Sequence, residues 1–415
     1  MDNWVEFGRV LLAVFGADVR ERRDAMTSLK RESSLGFTAT VAFAVSAALI
    51  AVGCGGHESK ERTEVAVATK VEALSVPPPA TCTDHTWNLL TTGLTSACVD
   101  GPGGFKCWGL WSILDPVTTQ TTANFVFPPT NPTMNVGGST RIRAAASGYR
   151  HTCVAADNGV WCFGDNAGGQ LGNGTQVGSQ TPVRVNADFG DRVVSLSSKA
   201  MHTCALLNNG EVWCWGENSS FACGVAPASA ALTTPGKVDL GGRTAKAIAT
   251  GSGFSCALSD AGEVLCWGSN ASGKAGVPGA ATLATPTLLD TSGKRAVLLS
   301  AGLEHGCAVF DDQTSACWGL NQYGTLATGD RISKPSPTPV NLNSPAGAPI
   351  QLDAGARHQC AVYQDGSLRC WGKNVCWDMS GNSNPNSAGG QLGLGVADSD
   401  WRLTPQSVPL GSRKV

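Results

Sequence analysis

From about residue 82 to the C-terminus, short runs of apolar, β-branched and aromatic residues alternate with tight, glycine-bearing turns. The plainest instance is residues 202–218, H-T-C-A-L-L-N-N-G-E-V-W-C-W-G-E-N. Two such runs flank Asn208-Asn209-Gly210, and Asn-Gly between them is a strong hairpin signal because the turn needs a positive φ. Counting outward from the turn sets Leu207 opposite Glu211, Leu206 opposite Val212, Ala205 opposite Trp213 and Cys204 opposite Cys214. Directly opposed residues on antiparallel strands hold their Cβ atoms about 4.5–5.5 Å apart, near the spacing of a disulfide. The predicted unit is a two-stranded hairpin with a staple across it.

The hairpin recurs, with cysteine pairs at Cys98/Cys107, Cys153/Cys162, Cys204/Cys214, Cys256/Cys266, Cys307/Cys317 and Cys360/Cys370. Successive second cysteines stand 51–55 residues apart. One motif per period of about 50 residues points to a solenoid or a propeller rather than to separate domains. Small residues precede the hairpins, as at Ser147-Gly148, Gly251, Gly302 and Gly355, and His151, His202, His305 and His358 open four of the six. Each second cysteine is followed by an aromatic residue and glycine. Several units continue into Asn and a glycine turn, fullest in residues 166–172 and 389–393. A Pro-led strand closes the unit at Pro182, Pro235, Pro286 and Pro405, and more weakly at residues 132–136.

This pattern resembles the regulator of chromosome condensation repeat over about residues 88–410. The resemblance implies an all-β chain folded as a β-propeller, with one four-stranded blade per repeat. Six motifs predict six blades, or seven if residues 84–94 carry a degenerate one. Residues 404–410 are expected to pair into the first blade and hide both sheet edges.

Residues 26–31 are basic, residues 35–52 are apolar, and Gly53-Cys54-Gly55-Gly56 follows, the order of an export signal. The position of Cys54 resembles a bacterial lipoprotein signal, which implies lipidation at Cys54. Gly55, where Asp would retain the protein at the inner membrane, implies an outer-membrane lipoprotein, periplasmic or surface-exposed. A transmembrane anchor and an ordinary cleaved signal remain the alternative readings of the same stretch. The mixed-charge segment ahead of a complete signal predicts that translation starts at Met26 and that residues 1–25 are an upstream extension. Residues 54–81, charged and then Val-Pro-Pro-Pro, read as a flexible tether leading to a propeller over residues 82–415.

Composition narrows the chemistry. Among 415 residues are 51 Gly and 12 Trp, only 15% are charged, and the net charge is −2, which suits tight turns and strands and gives nucleic acid no electrostatic footprint. Sixteen cysteines in regular pairs favour an oxidising compartment. A structural zinc site needs four converging ligands. Each hairpin offers at most three, and Phe254 and Ser96 replace His in two units that keep both cysteines. Disulfides are therefore expected, with His as local scaffolding that bonds nearby backbone, and no metal or cofactor. Cys223 aligns on Leu171 as a buried thiol, whereas Cys82 and Cys376 are expected to pair across the closure seam. The glycine turns lack the Lys and helix of a phosphate loop, and no nucleophile elbow appears, so the chain reads as non-enzymatic. Asn173, Asn218 and Asn270 fit a glycosylation pattern, to which a bacterial lipoprotein gives little meaning.

Two departures from the repeat carry the candidate binding residues: residues 110–135 with Trp111, Phe125 and Phe127, and residues 374–386 with Trp377. Propeller loops project from one face, and exposed aromatics anchor proteins or sugars. The expectation is a membrane-anchored module that binds an envelope or extracellular protein. Glycan or cell-wall binding, and an envelope enzyme or enzyme inhibitor, are the alternatives.

Overall fold

A computed structural model of the chain describes residues 89–92, 96–101, 104–114, 121–127, 136, 141–374, 392–394 and 401–410. The expected upstream extension, signal, Cys54, tether, Cys82, Cys376 and Trp377 lie outside these residues.

The described strands form six four-stranded antiparallel sheets, each made of strands consecutive in sequence. Sheet 1 is β1 (Leu89–Thr92), β2 (Ser96–Gly101), β3 (Gly104–Leu114) and β4 (Thr121–Phe127). Sheet 2 is β5 (Ile142–Ser147), β6 (His151–Ala156), β7 (Gly159–Gly164) and β8 (Ser179–Arg184). Sheet 3 is β9 (Val193–Ser198), β10 (His202–Leu207), β11 (Val212–Asn218) and β12 (Ser229–Lys237). Sheet 4 is β13 (Ala245–Thr250), β14 (Phe254–Ser259), β15 (Val264–Ser269) and β16 (Thr282–Leu288). Sheet 5 is β17 (Ala296–Ala301), β18 (His305–Phe310), β19 (Ser315–Gly319) and β20 (Lys334–Val340). Sheet 6 is β21 (Gln351–Ala354), β22 (His358–Val362), β23 (Leu368–Lys373) and β24 (Trp401–Ser407). The first strands β1, β5, β9, β13, β17 and β21 pack one on the next, which makes them the inner ring of a propeller with one sheet per blade.

The hairpin register is the one counted from the sequence. Leu206 faces Val212, Ala205 faces Trp213 and Cys204 faces Cys214. The turn is a three-residue loop in which Leu207 N–H donates to Glu211 O and Gly210 takes φ 79°. Disulfides join Cys153–Cys162, Cys204–Cys214, Cys256–Cys266, Cys307–Cys317 and Cys360–Cys370, each with Cα atoms 4.1 Å apart. Cys98 and Cys107 stand in the same opposed register in sheet 1.

Three expectations about the chain path are corrected. Residues 404–410 do not enter the first blade, because β24 pairs with β23 and completes its own sheet. Leu89–Thr92 is the inner strand of sheet 1, so residues 84–94 do not begin a seventh blade. Sheet 1 is closed by β4, not by residues 132–136, and the departure after Gly109 is itself a continuation of the sheet, with β3 running on to Leu114. In each case a local hairpin partner wins over a distant edge, as the smaller loop-closure cost favours.

The core lies between blades. Trp215, Trp267, Trp318 and Trp371 are fully buried, and three of them donate backward into the preceding blade's glycine turn. Trp215 Nε1–H reaches Gln170 O at 2.8 Å, Trp267 reaches Ala222 O at 3.0 Å and Trp371 reaches Thr325 O at 2.9 Å. In blades 2 to 5 that turn is organised by one asparagine, whose Oδ1 accepts the N–H five residues on: Leu171 for Asn166, Cys223 for Asn218, Ala275 for Asn270 and Leu326 for Asn321. Asn374 does the same for Leu392 across the second departure, 18 residues on. Cys223 thus occupies the Leu171 position as expected, buried and free. Asn218 and Asn270 are buried with their amides engaged, which removes them as acceptor sites for glycans.

The histidines work differently from the local role expected of them. His151 Nε2 meets Thr203 Oγ1 at 2.8 Å, and His202 Nε2 meets Ser255 Oγ at 2.8 Å, so each imidazole bonds a hydroxyl of the next blade. In blade 4 the ring is Phe254, and the matching residue of blade 5 is Gly306, where a Cβ would stand 2.6 Å from Trp318 Cε2. No hydroxyl fits there, and the residue facing it has no group that needs one. In three of the four histidine blades the glycine before the imidazole is forced as well: a Cβ at Gly148, Gly302 or Gly355 would stand 2.4, 2.1 or 2.2 Å from its own blade's His Cε1, whereas His202 follows Lys199.

Burial pushes His151 and His305 down to about 3, and His202 and His358 down to about 4. The charge of a neighbouring His or of Lys199 adds to the effect at His151, His305 and His358. The folded chain keeps these rings neutral while the unfolded chain protonates them below about pH 6.5, so acid favours unfolding. Stability should fall as pH drops from about 6.5 to 4, each histidine contributing up to roughly 1.4 kcal/mol per pH unit. Urea denaturation of His202→Gln beside the native chain checks this, the variant showing a shallower pH slope. Gly216 (φ 109°) offers a second test, since a Cβ there would lie 2.6 Å from both Met201 O and His202 Cα. Gly216→Ala should cost about 3–5 kcal/mol, and Gly242→Ala, with φ 78° but open space around it, about 1 kcal/mol.

Candidate functional site

In a four-stranded up-and-down blade, the loops after the first and third strands share one face, here called the upper face. Both sequence departures belong to it, one after β3 and one after β23. The inner rim of this face is made of the loops after the first strands, joined by backbone bonds between neighbours. Tyr149 N–H donates to Ala200 O, Ser252 N–H to Leu303 O and Leu303 N–H to Ala356 O, at 2.9, 2.8 and 3.2 Å. Blade 3 breaks the glycine rule: Lys199 stands where blades 2, 4, 5 and 6 have Gly148, Gly251, Gly302 and Gly355. Its ammonium donates to Ala354 O and lies 3.8 Å from the Asp353 carboxylate, both in blade 6. In a six-bladed ring blades 3 and 6 are opposite, so this side chain spans the axis and braces the channel mouth.

Further out, at the junction of blades 5 and 6, cations gather on two aromatic rings. Tyr323 and Trp401 meet edge to face with centroids 6.1 Å apart. The Arg331 guanidinium lies 3.8 Å from the Trp401 centroid, Arg357 lies 4.8 Å from Tyr323, and Lys373 Nζ lies 5.2 Å from the same ring. Arg331 is held by its Nε–H to Gln322 O at 2.9 Å, and the neighbouring Ile332 is 65% exposed. Each such stack is worth about 0.5–2 kcal/mol depending on desolvation. With Lys373 buried beneath them, Arg331, Arg357, Tyr323, Trp401 and Ile332 form a preorganised surface that offers positive charge, flat aromatic area and one exposed aliphatic side chain. Lys373 and Asn374 bring this cluster to the base of the second departure.

Of the residues singled out from sequence, Trp111 and Phe125 are register partners on the β3–β4 ribbon, and Phe127 pairs with Gly109. They sit on strands rather than on a projecting loop, because pairing continues past the point where the repeat motif stops. The cluster itself escaped sequence reading. Tyr323 occupies a glycine-turn position filled by small residues in blade 2, and Trp401 opens an outer strand, so these two aromatics stood out only by comparison between repeats. Lys199 was visible in the same way, as the one non-glycine in its column.

Nothing in the described residues resembles a catalytic set. The imidazoles are buried in the blade junctions, burial pushes the Cys223 thiol well above its usual range with the Glu217 charge adding to it, and no three His, Cys, Asp or Glu converge as metal ligands.

Comparison with known proteins fits this architecture. The chain is 30% identical over 236 residues to the ultraviolet-B receptor UVR8 of Arabidopsis thaliana, covering 56% of this chain and 53% of that protein. It is 26% identical over 325 residues to the E3 ubiquitin-protein ligase HERC2 of Homo sapiens, covering 77% of this chain and 6% of the ligase. The chain thus spans about half the length of UVR8 and a small part of HERC2. Among solved structures, human WBSCR16 superposes with a TM-score of 0.62 at 19% identity, over 77% of this chain and 80% of that one. Prp20p of Saccharomyces cerevisiae superposes with a TM-score of 0.55 at 19% identity, over 65% and 67%. The RCC1-like domain profile matches residues 91–415. With blade architecture, repeat motif and profile in agreement, the chain belongs to the RCC1-like domain family.

Proposed function

We propose that the protein is an exported, membrane-anchored interaction module whose upper face binds an envelope or extracellular protein. The observation that carries this reading is the Tyr323–Trp401–Arg331–Arg357–Lys373 cluster. Interface hot spots are enriched in Trp, Tyr and Arg, and cations stacked on rings lose little freedom when a carboxylate arrives. The partner chemistry that fits is an acidic surface with an apolar contact for Ile332. Relatives of the fold provide precedent: Prp20p has been described in terms of its binding to Gsp1p and histones, and yeast RCC1 has been crystallised with Kap60. The five disulfides suit an oxidising compartment outside the cytosol. Cys54 is the anchoring residue in this reading, and the β3–β4 ribbon with Trp111, Phe125 and Phe127, together with Trp377, extends the contact surface.

Two experiments test the parts separately. Cross-linking of the anchored full chain in cells, followed by mass spectrometry, should capture a defined envelope protein. Trp401→Ala and Arg331→Glu should reduce that capture about tenfold, while Lys237→Ala on an outer strand leaves it intact; equal capture by all variants would remove the cluster from the interface. For the address, Cys54→Ser should abolish metabolic labelling with a palmitate analogue and release the chain from the membrane fraction. Labelling that persists in the serine variant would refute anchoring at that residue.

A further inference from the structure

The residue before the second cysteine varies in an informative way: Trp161, Trp213, Leu265, Ala316 and Arg369 in blades 2 to 6. Where it is tryptophan, the half-buried indole covers the outer part of the blade and finds an acceptor for its N–H. Trp213 packs edge to face on Phe189, centroids 5.8 Å apart, and donates to Glu211 Oε2 at 3.2 Å. Trp161 donates to Asn158 Oδ1 at 3.0 Å. Blades 4, 5 and 6 lack the ring, and in blade 5, where the residue is smallest, a cavity of about 400 Å³ stands beside Ala316, within the size range of ligand sites.

Its walls differ from what the indole meets in the sister blades, where the register partners of Trp161 and Trp213 are Arg184 and Lys237, yet they offer a ring an apolar seat. Pro337 and Pro339 give apolar surface, the buried Phe310 also lines the space, and Pro339 is the register partner of Ala316. Gln313 and Thr314, at the positions three and two before Ala316, line the cavity where Asn158 and Glu211 accept the indole N–H in blades 2 and 3. Lys294 Nζ pairs with Asp312 at 2.9 Å and donates to Thr314 Oγ1 at 2.7 Å, while the Asp290 carboxylate, which accepts from Ser292 N–H, also lines the space. The site therefore disfavours an anion and suits an aromatic guest carrying a donor.

We propose that the blade 5 groove binds the indole of a tryptophan side chain carried by a partner polypeptide, taking in trans the ring that blades 2 and 3 hold in cis. The groove lies near the turn after β18, at the end of the blade opposite the cation–aromatic cluster, so the proposal is independent of the upper-face reading.

With 12 tryptophans in the chain, fluorine NMR is a cleaner readout than fluorescence. The full chain is titrated with acetyl-Gly-(5-fluoro-Trp)-Gly-amide, with the unlabelled Ala peptide as competitor and free 5-fluoroindole as a separate arm. The expected result is saturable binding of the Trp peptide with Kd of about 1 mM or tighter, no competition by the Ala peptide, and free fluoroindole bound more weakly. Ala316→Trp, which restores the ring in cis, should weaken peptide binding at least about tenfold with Tm unchanged or raised. If that variant folds poorly, Ala316→Leu, the size blade 4 carries, should still weaken it several-fold. No saturable binding by the native chain, unchanged binding in a folded Ala316 variant, or free fluoroindole binding as tightly as the peptide would overturn the proposal.

Discussion

Everything in this molecule depends on polar bonds that cross from one blade to the next. A four-stranded antiparallel blade satisfies its own backbone but leaves two large faces to be covered, and here the covering is directional. Trp215, Trp267 and Trp371 reach backward to a turn carbonyl, while His151 and His202 reach forward to a hydroxyl. Buried donors and acceptors are costly when unpaired, so every junction has to be correct in chemistry as well as in shape. Junction 4–5 shows the alternative solution, with Phe254 against Gly306 and the Trp318 Nε1 left without a partner.

This dependence explains which parts of the fold were legible in the sequence. Hairpin register, cysteine pairing and the Asn-led turn are set by residues within about 20 positions of one another, and the count outward from Asn208-Asn209-Gly210 predicted the pairing of Cys204 with Cys214 correctly. The position of Cys223 followed from the same local alignment. Contacts between blades join residues about 50 apart, and nothing in one repeat announces them. The partner of His151 is accordingly not the nearby backbone that its own repeat suggests but Thr203 of the next. The same limit holds at the chain's ends: nothing in the last repeat distinguishes an outer strand bound for a distant edge from one that, like β24, completes its own sheet.

The candidate site was the least legible. Arg331 and Trp401 are 70 positions apart in the numbering and meet only because blades 5 and 6 are neighbours. Aromatic residues in the two departures drew attention by composition alone, and the ribbon that carries Trp111 and Phe125 turned out to be a sheet extension. What does mark functional positions is a comparison down the columns of the repeat. Lys199 among glycines and Tyr323 in a turn of small residues are each a local rule broken by one blade, and Ala316 is the smallest residue of a varied column, with a structural consequence at each spot. The disulfides keep each hairpin intact while those exceptions are displayed, which suits a scaffold working outside the reducing cytosol.

The forward-reaching imidazoles also bear on how such a ring can change its number of repeats. Because each lock is written half in one repeat and half in the next, duplication of a single unit yields a workable seam only where the copied unit can follow itself. Blade 3 meets that requirement: it carries both His202 and Thr203, so a second copy would find its hydroxyl. Blade 5 does not, since its His305 would face Gly306. Tandem duplication would therefore keep the lock at some junctions and forgo it at others, as the seam after blade 5 already does, where His305 Nε2 has no partner.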